Sequence, residues 1–229
     1  MLTSNPQHPA SDIKNTLEKK PGAPVDISVQ HLGKKFNREW IFRDLNYTFQ
    51  SGQIYAITGP NGSGKSTLLQ VLWGQMPPST GTVTYYTTKG EIPGEEIFRH
   101  ISIATPYLDL IDEFTLLEQL RFHFKLKPSR FDMSEMELVE KMYLTQAKDK
   151  YISNFSSGMK QRVKLALAFF SQADIVFLDE PGTNLDSQAF DWYLQQLKDL
   201  PNNCLVFIAS NQRSEYPANA QKLDIMSFK

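Results

Sequence analysis

Two short stretches of this sequence hold side chains suited to chemistry on phosphate. The first is GPNGSGKS, residues 59–66, which fits the spacing G-x-x-x-x-G-K-[ST]. Gly59, Gly62 and Gly64, with Pro60, Asn61 and Ser63 between them, permit a tight path that turns successive N–H groups towards phosphate oxygens. A helix beginning there presents its positive dipole end to the same anion. Lys65 would meet the β- and γ-phosphates, and Ser66, followed by Thr67, would ligate Mg²⁺. The apolar run before the loop and the helical pattern after it favour this reading over a glycine turn with a solvated lysine. The second stretch is DIVFLDEP, residues 174–181. An apolar strand ending in two carboxylates is costly unless a cation or a reaction needs them. Beside a phosphate loop, Asp179 would hold Mg²⁺ through water and Glu180 would polarise an attacking water. An acidic solvated turn is the alternative, and the phosphate loop nearby weighs against it.

The elements that must position these residues follow from periodicity. VDISVQHL alternates like a strand, and DLNYTFQSGQIYAITG reads as a second strand pair turning at Ser51-Gly52. TVTYY is a further β segment. Thr115 with Glu118, and Ser134 with Glu137, are capping boxes that open two helices. MKQRVKLALAFF and SQAFDWYLQQLKDL are helical, and CLVFIAS is a buried strand. Short continuous apolar strands alternating with helices indicate a parallel sheet in an α/β fold. Residues 1–24 are polar and aperiodic, the pattern of a flexible extension. Residues 25–229 are the folded part, with a helical insertion at about 96–160.

The composition, 41% hydrophobic and 21% charged with a net charge of −1, is that of a soluble globular protein and gives no electrostatic reason to expect nucleic acid as partner. The single Cys204 excludes an internal disulfide and suits a reducing compartment. There is no signal-peptide pattern and no run of roughly 18 apolar residues. None of the four histidines has metal-ligand spacing with another His or Cys.

The order GPNGSGKST, FSSGMKQR, IVFLDEP and TNLD resembles the nucleotide-binding subunit of ATP-binding cassette (ABC) transporters, over about residues 25–229. The resemblance implies a P-loop NTPase (RecA-like) core with a parallel-rich sheet, a small antiparallel β region and an inserted helical subdomain. It implies ATP and Mg²⁺ as cofactors. FSSGM is similar to the family signature LSGGQ, with Ser156 and Gly158 at matching positions and Phe155, Ser157 and Met159 departing from it. By that likeness the segment closes over ATP held by a second copy, or by a similar ATPase subunit, in a head-to-tail dimer. Asn184, Leu185 and Asp186 match the family's interface loop. Phe36 stands where the family stacks an aromatic on adenine, with Trp40 as second candidate and core packing as the alternative. The resemblance further implies an integral membrane permease docked near Tyr107 to Phe124. The chain would then be cytoplasmic and peripheral on the inner face of the membrane. It ends soon after CLVFIAS, which suggests a compact exporter-type subunit without an appended regulatory domain.

Two family positions are not matched. The glutamine expected after HISIAT is replaced by Pro106-Tyr107, and no Gln follows until Gln119. The histidine expected after the last buried strand is Asn211. An amide can donate a hydrogen bond to a γ-phosphate but cannot carry a charge or a proton; an ordinary turn residue is the alternative. Glu180 and Asn211 are therefore the expected catalytic pair. The expected function is ATP binding and hydrolysis that energises a membrane partner. A slow nucleotide-gated clamp and a soluble assembly ATPase stay open beside it.

Overall fold

The computed structural model describes residues 24–229, so the expected N-terminal extension, Pro24 apart, lies outside the described residues. Strands β1 (Val25–Phe36), β2 (Glu39–Phe49) and β3 (Ile54–Thr58) lead into helix α1 (Lys65–Leu72). Strands β4 (Thr80–Thr87), β5 (Gly90–Ile92) and β6 (Ile101–Ala104) come next. Helices α2 (Leu116–Leu126), α3 (Glu135–Lys141) and α4 (Ser157–Phe170) precede β7 (Ile175–Asp179). The chain closes with α5 (Ser187–Lys198), β8 (Leu205–Ala209) and β9 (Gln221–Asp224).

The strands form two sheets. One is antiparallel, in the order β2-β1-β4-β5; the other is parallel, in the order β6-β7-β8-β3-β9. Residues 44–59 are thus not a strand pair, as the sequence suggested. β2 belongs to the antiparallel sheet and β3 to the parallel one, and the Ser51-Gly52 turn carries the chain from one to the other. A two-residue turn between alternating runs looks the same locally whichever sheet each run joins. Here Gly52, at φ 74°, packs against the Asn202 carbonyl, where a Cβ would lie 2.6 Å away.

The parallel strands are covered on both faces, which is why β7 and β8 read as unbroken apolar runs. Ile175, Phe177, Leu205 and Phe207 face a core shared with α1 and the antiparallel sheet. Phe177 and Phe207 stack there with ring centroids 4.9 Å apart. Val176, Leu178, Val206 and Ile208 face the opposite core, built with α4, α5 and the α2–α3 region. Both predicted capping boxes form: Thr115 and Glu118 cap α2, and Ser134 and Glu137 cap α3. The span 96–160 holds α2, α3 and the first turn of α4, and also β6, an edge strand of the parallel sheet. Among the described residues no helix is long and apolar enough to cross a membrane.

Where α2 meets the end of α4, the His123 ring lies 2.8 Å from the Ser171 hydroxyl. Burial, with a contribution from the Lys127 charge, pushes the His123 pKa down to about 4. An unfolded chain takes up that proton near the ordinary value of about 6.5, so protonation favours the unfolded chain over the folded one. Stability therefore falls as pH drops from about 6.5 towards 4. Replacing His123 by Gln should shrink the pH 7 to pH 5 loss in unfolding free energy, measured by urea titration, by about 1 kcal/mol after allowance for solvent screening.

Candidate active site

Three strand ends set the site. Ile57 of β3, Ala209 of β8 and Asp179 of β7 lie side by side in register. The segments that follow each of them, from Gly59, from Ser210 and from Glu180, therefore leave the same edge of the sheet. In open parallel sheets that edge is where ligands bind.

The phosphate loop fills one side of it. Gly59, Gly62 and Gly64 have φ of 142°, 75° and 105°, a region that strains any residue with a side chain. The space confirms the need at two of them. A Cβ on Gly59 would lie 2.7 Å from Ser63 Oγ, and one on Gly64 would run into the Ile41 side chain of β2. Ser63 N–H donates to the Pro60 carbonyl at 3.1 Å and closes the loop. Lys65 is only 4% exposed, and its ammonium donates to the carbonyls of Gly59 and Pro60 at 2.9 and 3.1 Å. The cation is thus held inside the curve of the loop, at the start of α1.

Asp179 is 1% exposed, and its Oδ1 has no hydrogen-bond partner among the described residues. Burial raises its pKa; the Ser66 hydroxyl opposes this, Glu180 adds repulsion and Lys65 attraction. A buried carboxylate with an unmatched oxygen, next to a hydroxyl, is a donor set that fits a hard divalent cation such as Mg²⁺. Glu180, one residue on, sits at φ 46°, which costs a non-glycine residue about 1–3 kcal/mol unless its surroundings hold it there. Its N–H donates to the Ala209 carbonyl at 2.9 Å, and Thr183 N–H donates to the Glu180 carbonyl at 3.2 Å, closing a turn. Gln161 of α4 donates to the Pro181 carbonyl at 3.0 Å.

Across the edge, Ser210 is buried and its N–H donates to the Ile57 carbonyl. Asn211 is exposed, and its Nδ2 donates to Asn61 Oδ1 of the phosphate loop at 2.9 Å. A polar cavity of about 140 Å³ lies here, lined by Asn61, Glu180, Ser210, Asn211, Gln212 and Glu215. Glu215 had no sequence signal: an acidic residue in a polar loop looks solvated, and this one is 1% exposed.

Other expected site residues lie apart from this cavity. Ser156 caps α4, accepting from Met159 N–H at 3.2 Å. A Cβ on Gly158 would sit 2.6 Å from the Asn184 carbonyl, so the start of α4 packs on the loop containing Asn184, Leu185 and Asp186. Asp186 caps α5 and lies 3.6 Å from Arg162 of α4. Phe36 is 46% exposed at the tip of the β1–β2 hairpin, with the Lys34 ammonium 5.3 Å from its ring centre. It belongs to neither core. Trp40 is covered by Lys35 at 5.3 Å. Tyr107 is 76% exposed, while the Pro106 carbonyl accepts from Lys164 of α4 at 3.0 Å.

The sequence pattern that defines the ABC transporter family matches residues 42–183, from β2 through the acidic end of β7. The chain belongs to that family. An uncharacterised ABC transporter ATP-binding protein of Bacillus subtilis is 32% identical over 199 residues, covering 82% of this chain and 87% of that one. Nod factor export ATP-binding protein I of Burkholderia lata is 30% identical, covering 79% of this chain and 60% of its own length. A bacterial Atm1-family ABC exporter solved with ATP bound superposes with a TM-score of 0.73 at 18% identity, over 91% of this chain and 39% of that one. An ATP-binding subunit of an ABC transporter gives 0.66 at 24% identity, over 80% and 78%. These two share the fold. The ABC protein described here is an ATPase, the ATP-binding and ATP-hydrolysing subunit of a transporter.

Gly64→Ala places a methyl against Ile41 at a φ of 105°. It should lower stability by about 2 kcal/mol and weaken ATP binding about tenfold or more in a calorimetric titration.

Proposed function

We propose that the loop N–H groups and Lys65 hold the β- and γ-phosphates of ATP, and that Ser66 and Asp179 hold Mg²⁺. Bound there, Mg²⁺ would neutralise phosphate charge and orient the terminal group. Glu180 accepts the proton of a water whose oxygen bonds to the γ-phosphorus. The bond to the bridging oxygen breaks, and ADP and phosphate leave. Asn211 donates a hydrogen bond to the γ-phosphate, and Phe36 stacks on the adenine. The observation that carries the reading is the unmatched, buried Oδ1 of Asp179 beside Ser66 and Lys65.

Gly158 packs on the Asn184 loop and Ser156 caps α4, while Lys65 bonds within its own loop, which supports Ser156 and Gly158 acting on nucleotide held by a second copy in a head-to-tail dimer. Closure of that dimer would be passed to an integral membrane partner on the cytoplasmic side. A cavity of about 470 Å³ rimmed by Trp73, Phe98, Tyr107 and Leu108 is the surface we assign to that partner. The amide at Asn211 favours a second reading, a clamp that binds ATP and turns it over slowly.

Two variants separate these readings. Glu180→Gln should lower the steady-state ATPase rate about a hundredfold or more, with ATP still bound; a rate close to wild type removes Glu180 from the mechanism. Asn211→His should raise the rate if the clamp reading holds, by roughly tenfold, the value of one added charged contact. No gain, together with rapid wild-type turnover, removes the clamp.

A further inference from the structure

The turn carrying Glu180 is anchored by a buried acid that none of the roles above uses. Glu215 Oε1 accepts from the Gly182 N–H at 3.1 Å, two residues beyond Glu180. Its own carbonyl accepts from the Tyr193 hydroxyl of α5 at 2.6 Å, and its N–H donates to Gln212 at 3.2 Å. The residue is therefore fixed from the Glu180 turn, from α5 and from its own loop. Gly182 leaves room for it: a Cβ there would strike the Glu215 carboxylate and come within 2.9 Å of Phe190. Glu215 Oε2 is buried without a hydrogen-bond partner among the described residues, and the residue lines the cavity that also holds Glu180 and Asn211.

We propose that Glu215 is a positioning residue for ATP hydrolysis, locking the Glu180 turn to the segment that carries Asn211. This rests on the reading of Glu180 as the group that activates water. Glu180 occupies a left-handed conformation that persists only where neighbours over-determine it. Of the bonds that hold the turn, Ala209 reaches the backbone of Glu180 from β8, and Gln161 reaches Pro181 from α4. Among the hydrogen bonds of the described residues, the one to Glu215 joins the turn to the segment after Asn211, so a shift in one is felt by the other. Burial raises the Glu215 pKa; the Ser210 hydroxyl and Gly182 N–H pull it down, and Glu180 and then Asp179 push it up. What the turn needs from this side chain is an acceptor of the right reach, which an amide also supplies.

The test compares Glu215→Gln, Glu215→Ala, Gly182→Ala and the Gly182→Ala/Glu215→Ala double variant for kcat, KM for ATP and thermal midpoint. Glu215→Gln should keep kcat within about threefold of wild type. Glu215→Ala should lower kcat about tenfold or more with KM changed less than about threefold, the pattern of a displaced catalytic group and not of lost binding. Gly182→Ala, which pushes on the same contact from the other side, should do likewise, and the double variant should be little worse than either single one. Wild-type kcat in Glu215→Ala, or an equal loss in Glu215→Gln, overturns the proposal. So do losses that multiply in the double variant. If Glu215→Ala does not fold, wild-type kcat in Gly182→Ala overturns it alone. Glu180→Gln is run alongside: full activity there sinks the reading of Glu180, a result distinct from any failure at Glu215.

Discussion

The constraint on which this structure turns is the burial of Asp179. A carboxylate at the end of a strand covered on both faces is unfavourable by several kcal/mol unless partners offset it. Lys65 and Ser66 approach from the phosphate loop, and they can do so only because β3 and β7 are held parallel and level by β8 between them. The register Ile57, Ala209, Asp179 thus sets how Lys65 and Ser66 approach Asp179 as well as how the strands pack. One oxygen of Asp179 is still unmatched. The site as folded carries a local deficit that a cation would remove, which links nucleotide binding to the same balance of forces that sets the fold.

Strain is distributed around this edge. Three glycines in the loop and the left-handed Glu180 take conformations that ordinary residues avoid. Two of these places are braced from outside their own segment: Gly64 by Ile41 of β2, and the Glu180 turn by Ala209, Gln161 and Glu215. The braces come from β2, β8, α4 and the loop after β8, so the site draws on most layers of the molecule. A modest shift of α4 would reach the turn through Gln161 and the Pro106 segment through Lys164.

What the sequence showed and what it hid divide along a physical line. The phosphate loop, the acidic strand end and both capping boxes are local patterns, set by residues within a few positions of one another. They were legible, as was the parallel α/β core, because strands buried on both faces lose their alternation. The destination of β2 and β3 was not, since sheet membership depends on partners far along the chain. Gln161 and Glu215 were invisible for the same reason. Their importance comes from contacts with Pro181 and Gly182 across the fold, and their types suggest only solvated surface.

The central claim, that the edge formed by β3, β8 and β7 is a Mg²⁺-dependent nucleotide site completed by Asp179, is tested most directly by titrating ATP into the protein by calorimetry with and without Mg²⁺. The account predicts that Mg²⁺ tightens binding about tenfold or more in the wild-type chain, and that Asp179→Asn loses most of this gain while the metal-free affinity stays within about threefold. Equal affinity with and without Mg²⁺, or an undiminished Mg²⁺ effect in Asp179→Asn, would contradict it.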